Sequence, residues 1–450
     1  MVNELLNQEL VNVACSNAKI AFREWSLITP PNRGKILFNV GKKIEEKRNE
    51  FITVLMDETG KTVTEADGEV TSAIEMAYYM AGEGRRMYGD TTHSELPNRL
   101  AITKRYPIGV CGIITPWNFP LSMMAWKVFP ALICGNTVVL KPSRLTKKTA
   151  VLFYYVLIES GIPSNVINIL NGDSNLGSTL IKYGKINMLS FTGSTETGRW
   201  IAEECGKRLI KTSLELGGKN VLIIMDDADL ELAVSCSIKG GFSVGGQRCA
   251  STGLVLVHND IYDNYINRLK VETKQLIKEN KYNCMIDESN VCNVKEYMAI
   301  AQRYNCSIQC GGKVHLKENK YYCEPTIITD VVETCPLSQI EMFAPILPII
   351  KVNILDEAIG IQNRLYYGLT SSIITKNINN AMIAIDRLKV GVCYVNAPTY
   401  GSEVHLPFGG VKESGNGYRE VGKSAIDTFS ELKTIYIDYS GELQNVQIKK

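Results

Sequence analysis

Apolar residues recur at helical spacing from the start of the chain to about residue 85, which predicts a run of amphipathic helices. Thr29-Pro30-Pro31-Asn32 and Thr59-Gly60-Lys61 punctuate the run, and residues 33–57 are one of its amphipathic stretches. From Ile108 the pattern changes to short apolar runs separated by helical segments. Strands are predicted over 110–114, 138–140, 166–170 and 188–191. A helix is predicted over 146–161, opening at a Thr cap and stopping at Gly161-Ile162-Pro163. This alternation predicts a parallel, doubly wound sheet. A second alternating block begins near Val221-Leu222-Ile223-Ile224 and runs to about Val395. Two alternating segments stand apart from both blocks, residues 99–105 and 434–437. They are expected to pair as a small extra sheet that joins subunits.

The chain has 450 residues, 45% hydrophobic and 21% charged, enough for two or three packed domains. Lys plus Arg number 49 against 47 Asp plus Glu, so the net charge of +2 gives no bulk field for nucleic acid or an anionic membrane. Small molecules are the expected partners. The first residues show no basic patch followed by an apolar core, and no apolar run approaches the roughly 20 residues a bilayer crossing needs. A cytoplasmic location is therefore expected. Thirteen cysteines scattered along a chain without a signal peptide fit reduced thiols better than a disulfide framework. Cys306 and Cys310, with Cys284, Cys292 and Cys323 nearby, form a cluster but supply no CxxC pair and no neighbouring His, so no metal site is expected.

Three residues stand out chemically. Cys249 lies in Gly245-Gly246-Gln247-Arg248-Cys249-Ala250-Ser251, a glycine-bearing turn after the apolar helix around 232–238. A thiol exposed there beside Arg248 would favour the thiolate that attacks carbonyls, the alternative being a buried structural cysteine. Glu215, between leucines in Leu214-Glu215-Leu216-Gly217-Gly218-Lys219, has the apolar setting that raises a carboxyl toward the range of a general base. A strand-end Glu paired with Lys219 is equally compatible. Asn118, in Thr115-Pro116-Trp117-Asn118-Phe119-Pro120 directly after a strand, can aim its amide at an oxyanion or serve only as a turn former.

Further stretches suit a dinucleotide. Gly172 to Gly177 keeps two glycines of a GxGxxG fingerprint and replaces the middle one. Phe191-Thr192-Gly193-Ser194 ends a strand and opens a helix, where N–H groups and the Ser194 hydroxyl can receive a pyrophosphate. Lys141, in Val139-Leu140-Lys141-Pro142-Ser143-Arg144, lies at another strand end within reach of a ribose.

Taken in order, these stretches resemble the aldehyde dehydrogenase superfamily from about residue 8 to 441, together with Glu341-Met342-Phe343-Ala344-Pro345 and Pro407-Phe408-Gly409-Gly410. The resemblance implies an α/β fold: a Rossmann-like dinucleotide-binding domain (1–86 and 108–217), an α/β catalytic domain (218–420) and oligomerisation strands (87–107 and 430–445). It implies a Cys249 thiohemiacetal held by Asn118 and the Cys249 N–H, hydride transfer to nicotinamide, and hydrolysis by water that Glu215 activates. The implied cofactor contacts are Ile114, Thr115, Pro116, Trp117, Lys141, Ser143, Arg144, Gly172, Phe191, Gly193, Ser194, Leu216, Glu341 and Phe343. Glu341 and Phe343 would hold the nicotinamide ribose and ring. A homodimer or homotetramer is implied as well.

The departures carry information. Family members commonly place a Glu three residues after the lysine, and Arg144 stands there instead. A guanidinium suits a 2′-phosphate, so NADP is expected ahead of NAD, with NAD still able to bind if Arg144 swings into solvent. Ala344 replaces the usual Gly, a change expected to be tolerated, and the chain is expected to lack the strands that usually precede the first family helix. Coenzyme-A-acylating relatives generally lack the carboxylate of the Glu215 motif, so hydrolytic release is favoured. A silent structural homologue is disfavoured by the joint presence of Cys249, Asn118 and Glu215, although fold alone proves no activity. A cofactor-free cysteine hydrolase would leave the dinucleotide contacts without use. Trp126 falls where succinate-semialdehyde relatives place an arginine. Arg248 resembles the phosphate-holding arginine of non-phosphorylating glyceraldehyde-3-phosphate dehydrogenases, or is a salt-bridged support. Residues 396–408 look most like dehydrogenases of 2-oxoglutarate semialdehyde, which ranks first as substrate, ahead of lactaldehyde or glyceraldehyde and then the phosphorylated triose.

Overall fold

Helix α1 spans Val2–Trp25, α2 Pro30–Glu46, α3 Arg48–Thr59 and α4 Val63–Glu83. The structure is a computed structural model that describes residues 2–446; residue 1, where the first expected domain begins, lies outside them. Both predicted breaks appear. Pro30 and Pro31 occupy the first turn of α2, where a missing N–H costs nothing, and α2 buries Leu37, Val40 and Ile44 along one stripe. At the second break Gly60 takes the left-handed φ of 69° that closes α3, and Thr62 with Glu65 forms the capping box that opens α4.

Past β1 (Thr91–His93) and β2 (Arg99–Pro107) come β3 (Val110–Ile114), α5 (Pro120–Ile133), β4 (Thr137–Lys141), α6 (Lys147–Glu159) and β5 (Ile167–Ile169). Then follow α7 (Ser174–Tyr183), β6 (Met188–Thr192), α8 (Thr195–Gly206) and β7 (Lys211–Glu215). The predicted strands and helix of this block are each met within two residues at either end. Strands β3 to β7 form a parallel sheet in the order β5-β4-β3-β6-β7. Strands β4 and β6 are buried along their whole length, as apolar runs must be in a sheet covered on both faces. The strand order reverses between β3 and β6, so their carboxyl ends open a crevice.

The second block contains β8 (Asn220–Ile224), α9 (Leu230–Phe242), β9 (Thr252–His258), β10 (Ser307–Cys310), β11 (Thr326–Thr329), β12 (Ile346–Val352), β13 (Thr370–Ile374) and β14 (Val392–Val395). Their seven-stranded sheet runs β10-β11-β12-β9-β8-β13-β14, antiparallel only between β10 and β11. The two segments left over by the pattern do pair. Strand β2 runs antiparallel to β15 (Ser430–Asp438), from Arg99 opposite Asp438 to Pro107 opposite Ser430. Strand β1 joins the other edge of β2 and was not anticipated, being three exposed polar residues. Among the described residues no helix is long and apolar enough to cross a membrane.

Candidate active site

Loops leaving the carboxyl ends of the first sheet form one wall of a cleft. Ile114 and Phe191 face each other at the ends of β3 and β6, and the buried hydroxyls of Thr115 and Thr192 just beyond have no hydrogen-bond partner. Ser194 caps α8, accepting the Thr197 N–H at 3.3 Å. The positive end of that helix can receive a phosphate. A side chain on Gly193 would collide with the Phe191 ring, so the backbone there stays bare. Helix α7 has no such free end. The Asp173 carboxylate already accepts the Asn175 and Leu176 N–H groups at 3.0 and 3.2 Å. This corrects the reading of 172–177 as a phosphate fingerprint: Gly172 packs on Leu176, where a Cβ would sit 2.5 Å from a methyl.

Lys141 ends β4, and burial holds its ammonium below the usual range, with Asp173 pulling the other way and Arg144 reinforcing the drop. Ser143 accepts the Leu145 N–H at 3.3 Å, capping a short turn on which Arg144 is exposed.

The opposite wall precedes β12. Glu341 accepts the Gly218 N–H at 3.1 Å, and a side chain on Gly217 would run into its carboxylate. Burial pushes the Glu341 carboxyl up to about 7, against the pull of the Gly218 amide and Lys219. Phe343 sits at a φ of 51°, costly for an aromatic residue and typical of strained functional positions. Its ring meets Trp117 edge-on at 5.6 Å between centroids. A helix N-terminus, bare glycines, a carboxylate able to take ribose hydroxyls and a ring beside it together fit a dinucleotide.

Between these walls lies Cys249. Its loop curls through Val244, Gly245 and Gly246 at φ of 53°, 65° and 69°, and a side chain on Gly246 would strike the Ala344 carbonyl. The β-branched Val244 is strained in this region; its N–H donates to Glu65 at 2.9 Å. Gln247 ties the loop to the Val244 and Cys284 carbonyls and accepts the Ile286 N–H. The Asn220 amide donates to the Cys249 and Ser251 carbonyls at 2.7 and 2.8 Å. Cys249 is half-buried, and its thiol is pushed up to about 12 by burial and then by Glu341, Glu215 and Glu420. The expected exposed thiolate beside Arg248 is not formed: the guanidinium lies over Tyr400 at 4.3 Å and Phe119 at 5.1 Å from their centroids.

Glu215 ends β7 buried, and among the described residues neither of its carboxylate oxygens has a hydrogen-bond partner. Burial, reinforced by Glu420, raises its carboxyl well above the ordinary range, while Lys127 and Arg419 oppose this. It does not pair with Lys219, whose own buried ammonium has no hydrogen-bond partner among the described residues and is lowered to about 7 by burial. Behind Glu215, Lys127 and Glu420 form a buried ion pair, and Lys127 also donates to Ser190 at 3.1 Å. Sequence reasoning missed this pair. The signal was present in Lys127, the one charged side chain of the otherwise apolar helix α5. Asn118 donates one amide N–H to the Gln247 carbonyl at 2.9 Å, which fixes its plane and leaves the second N–H free for a ligand.

Cys249, Glu215 and Asn118 all line one cleft of about 700 Å³, together with Pro116, Trp117, Gly193, Ser194, Leu216, Glu341, Phe343, Trp126 and Arg248. Ile114, Thr115, Lys141, Ser143, Arg144, Gly172 and Phe191 lie outside this lining. Trp126 packs against Phe408 at 5.6 Å and donates to Ser72 at 3.3 Å. The Nε of Arg248 has no partner.

The sequence profile of the aldehyde dehydrogenase family matches residues 3–435. The chain is 36% identical over 439 residues to the alpha-ketoglutaric semialdehyde dehydrogenase of Bacillus subtilis (strain 168), covering 95% of this chain and 90% of that one. An NAD-dependent aldehyde dehydrogenase from Sinorhizobium meliloti superposes with a TM-score of 0.94 at 30% identity, covering 98% of this chain and 89% of its own. An E. coli NADP-dependent enzyme does so at 0.91 and 32%, covering 96% and 90%. The chain thus belongs to the aldehyde dehydrogenase family, NAD(P)-dependent enzymes that oxidise an aldehyde to the acid.

Proposed function

We propose that the substrate is a short semialdehyde with a distal acid group, 2-oxoglutarate semialdehyde ahead of lactaldehyde, glyceraldehyde or glyceraldehyde 3-phosphate. The observation that carries this is the half-buried Arg248 on the cleft wall beside the nucleophile, whose buried Nε lacks a partner among the described residues. An anionic end group would satisfy it. The similarity to the alpha-ketoglutaric semialdehyde dehydrogenase of Bacillus subtilis supports this reading.

Cys249 Sγ attacks the aldehyde carbon while its proton passes to Glu215. The free Asn118 N–H and the Cys249 N–H hold the oxyanion. Ser194 and Glu341 would help hold the cofactor, whose oxidised nicotinamide would accept the hydride from the thiohemiacetal carbon. The acyl group then rests on Sγ as a thioester. Glu215, having passed its proton to solvent, takes one from a water whose oxygen displaces Sγ and releases the acid. A base with a raised pKa suits both transfers. Arg144, exposed beside Lys141, favours the 2′-phosphate of NADP over NAD. Exposed Leu432, Tyr436 and Ile437 on β15 and Leu100 on β2 support assembly into a dimer or tetramer through this sheet; light scattering showing only monomer would contradict it.

The test is initial rates of nicotinamide reduction with NADP and NAD over an aldehyde panel. The highest kcat/KM is expected for 2-oxoglutarate semialdehyde with NADP. Equal preference for propanal, which has no distal acid, would contradict the substrate assignment.

A further inference from the structure

Helix α4 opens beside the cleft, and its first turns carry charged groups that the chemistry above does not use. Lys61, just before α4, is fully buried, as is Glu69, with which it forms an ion pair. The same ammonium donates to the main-chain carbonyl of Asn118 at 2.5 Å and lies 3.8 Å from the Phe119 ring centroid. Glu69 accepts the Leu121 and Ser122 N–H groups at 2.8 and 3.2 Å, gripping the first turn of α5 directly after Asn118. One helical turn before Glu69, Glu65 accepts the Val244 N–H at 2.9 Å and the Asn283 amide at 2.6 Å. Val244 begins the strained curl that leads to Cys249. The segment from Lys61 to Glu69 therefore holds both the loop that carries the oxyanion donor, from the first sheet, and the loop that carries the nucleophile, from the second.

Burying a lysine is costly, and burial holds the Lys61 ammonium below its usual range. A hydrophobic residue of similar volume would fill the same space without that cost. What such a residue could not do is fix the Asn118 carbonyl, and with it the peptide from which the Asn118 amide projects. We propose that Lys61 is a positioning residue for the oxidation, the anchor of an α4 clamp that sets the aim of the Asn118 N–H relative to Cys249. The proposal rests on the role of Asn118 as oxyanion donor.

The experiment is a double-mutant cycle of Lys61→Met and Asn118→Ala, read as kcat/KM for propanal and for 2-oxoglutarate semialdehyde at saturating NADP, with cofactor affinity measured by fluorescence. Lys61→Met is expected to lower kcat/KM on the order of 10- to 100-fold for both aldehydes, the scale of a misplaced catalytic group, with cofactor affinity unchanged. In the Asn118→Ala background the same substitution is expected to cost less than about twofold, because the group it positions is gone. Equal losses in both backgrounds, or no loss in the single variant, would overturn the proposal. A harmless Asn118→Ala would instead overturn the oxyanion role. If Lys61→Met does not fold, Lys61→Gln, which replaces the ammonium with an uncharged N–H donor, carries the same cycle: a smaller loss, again absent with Asn118→Ala, supports the clamp, and an additive loss refutes it.

Discussion

The two sheets meet the cleft with opposite ends of their strands. The first offers carboxyl ends: β3, β6 and β7 stop at Ile114, Thr192 and Glu215. The second offers amino ends: β8, β9 and β12 start at Asn220, Thr252 and Ile346, beside Lys219, Cys249 and Glu341. The first wall works mainly through backbone, with bare glycine, a helix N-terminus and turn amides. These suit an anion, with Lys141 and Arg144 at the end of β4 adding positive charge at its edge. The second wall works through ionisable groups stripped of water. Cys249 and Glu341 are both pushed up and Lys219 down, each by burial. The first wall can thus be formed in full before a ligand arrives, while the second holds groups whose protonation depends on what enters. In the proposed mechanism Glu215 and Asn118, from the first sheet, act on a nucleophile carried by the second, so catalysis would depend on how the two are held together.

Substitutions should separate the walls. Cys249→Ser is expected to cost on the order of 10⁴-fold or more in kcat while leaving cofactor binding, followed by fluorescence, intact; weakened binding would break the separation. Lys127→Met should be next in size. It leaves Glu420 buried without its cation, a loss of about 3–5 kcal/mol in urea unfolding, and an unchanged midpoint would contradict the pairing. Glu215→Gln is expected to lower kcat by about 10²- to 10³-fold. The Glu215 carboxyl is raised and serves as a base when ionised, so wild-type kcat should climb with pH as it loses its proton. That climb should vanish in Glu215→Gln, and a limb that persists would assign it to another group. The smallest effects belong to the edges of the cleft. Arg144→Glu should shift the NADP-to-NAD ratio of kcat/KM about tenfold toward NAD, and Arg248→Leu should raise KM for 2-oxoglutarate semialdehyde about tenfold with propanal unaffected, each being the loss of one charge-assisted contact.

The first wall was largely legible in the sequence. Strand ends, the Gly193-Ser194 turn and the Thr115 to Phe119 loop follow from local pattern, because backbone recognition is written in residues that control backbone. The pairing of β2 with β15 was readable from two alternating segments left without a block, whereas β1 was not, since three polar residues give no periodic signal. The 172–177 glycines misled because Asp173, seen in sequence only as a fingerprint position, turns its carboxylate onto the amides a phosphate would need. The second wall was legible in residue identity but not in state. Arg248 beside Cys249 suggested a thiolate, yet the guanidinium stacks on Tyr400 and Phe119, and burial raises the thiol. The Lys127–Glu420 and Lys61–Glu69 pairs depend on long-range packing that no local pattern encodes.

The most direct measurement is intact-protein mass after Glu215→Gln is mixed with 2-oxoglutarate semialdehyde and NADP, with the reduced nicotinamide counted in the same sample. The expected result is about one equivalent of reduced cofactor and one acyl group per active site, accumulating slowly on the peptide bearing Cys249, because without Glu215 the thiol yields its proton only to solvent and the water that would free the acyl group is not activated. Reduced cofactor without an acyl group on Cys249, or an acyl group elsewhere, would contradict the division of labour between Cys249 and Glu215.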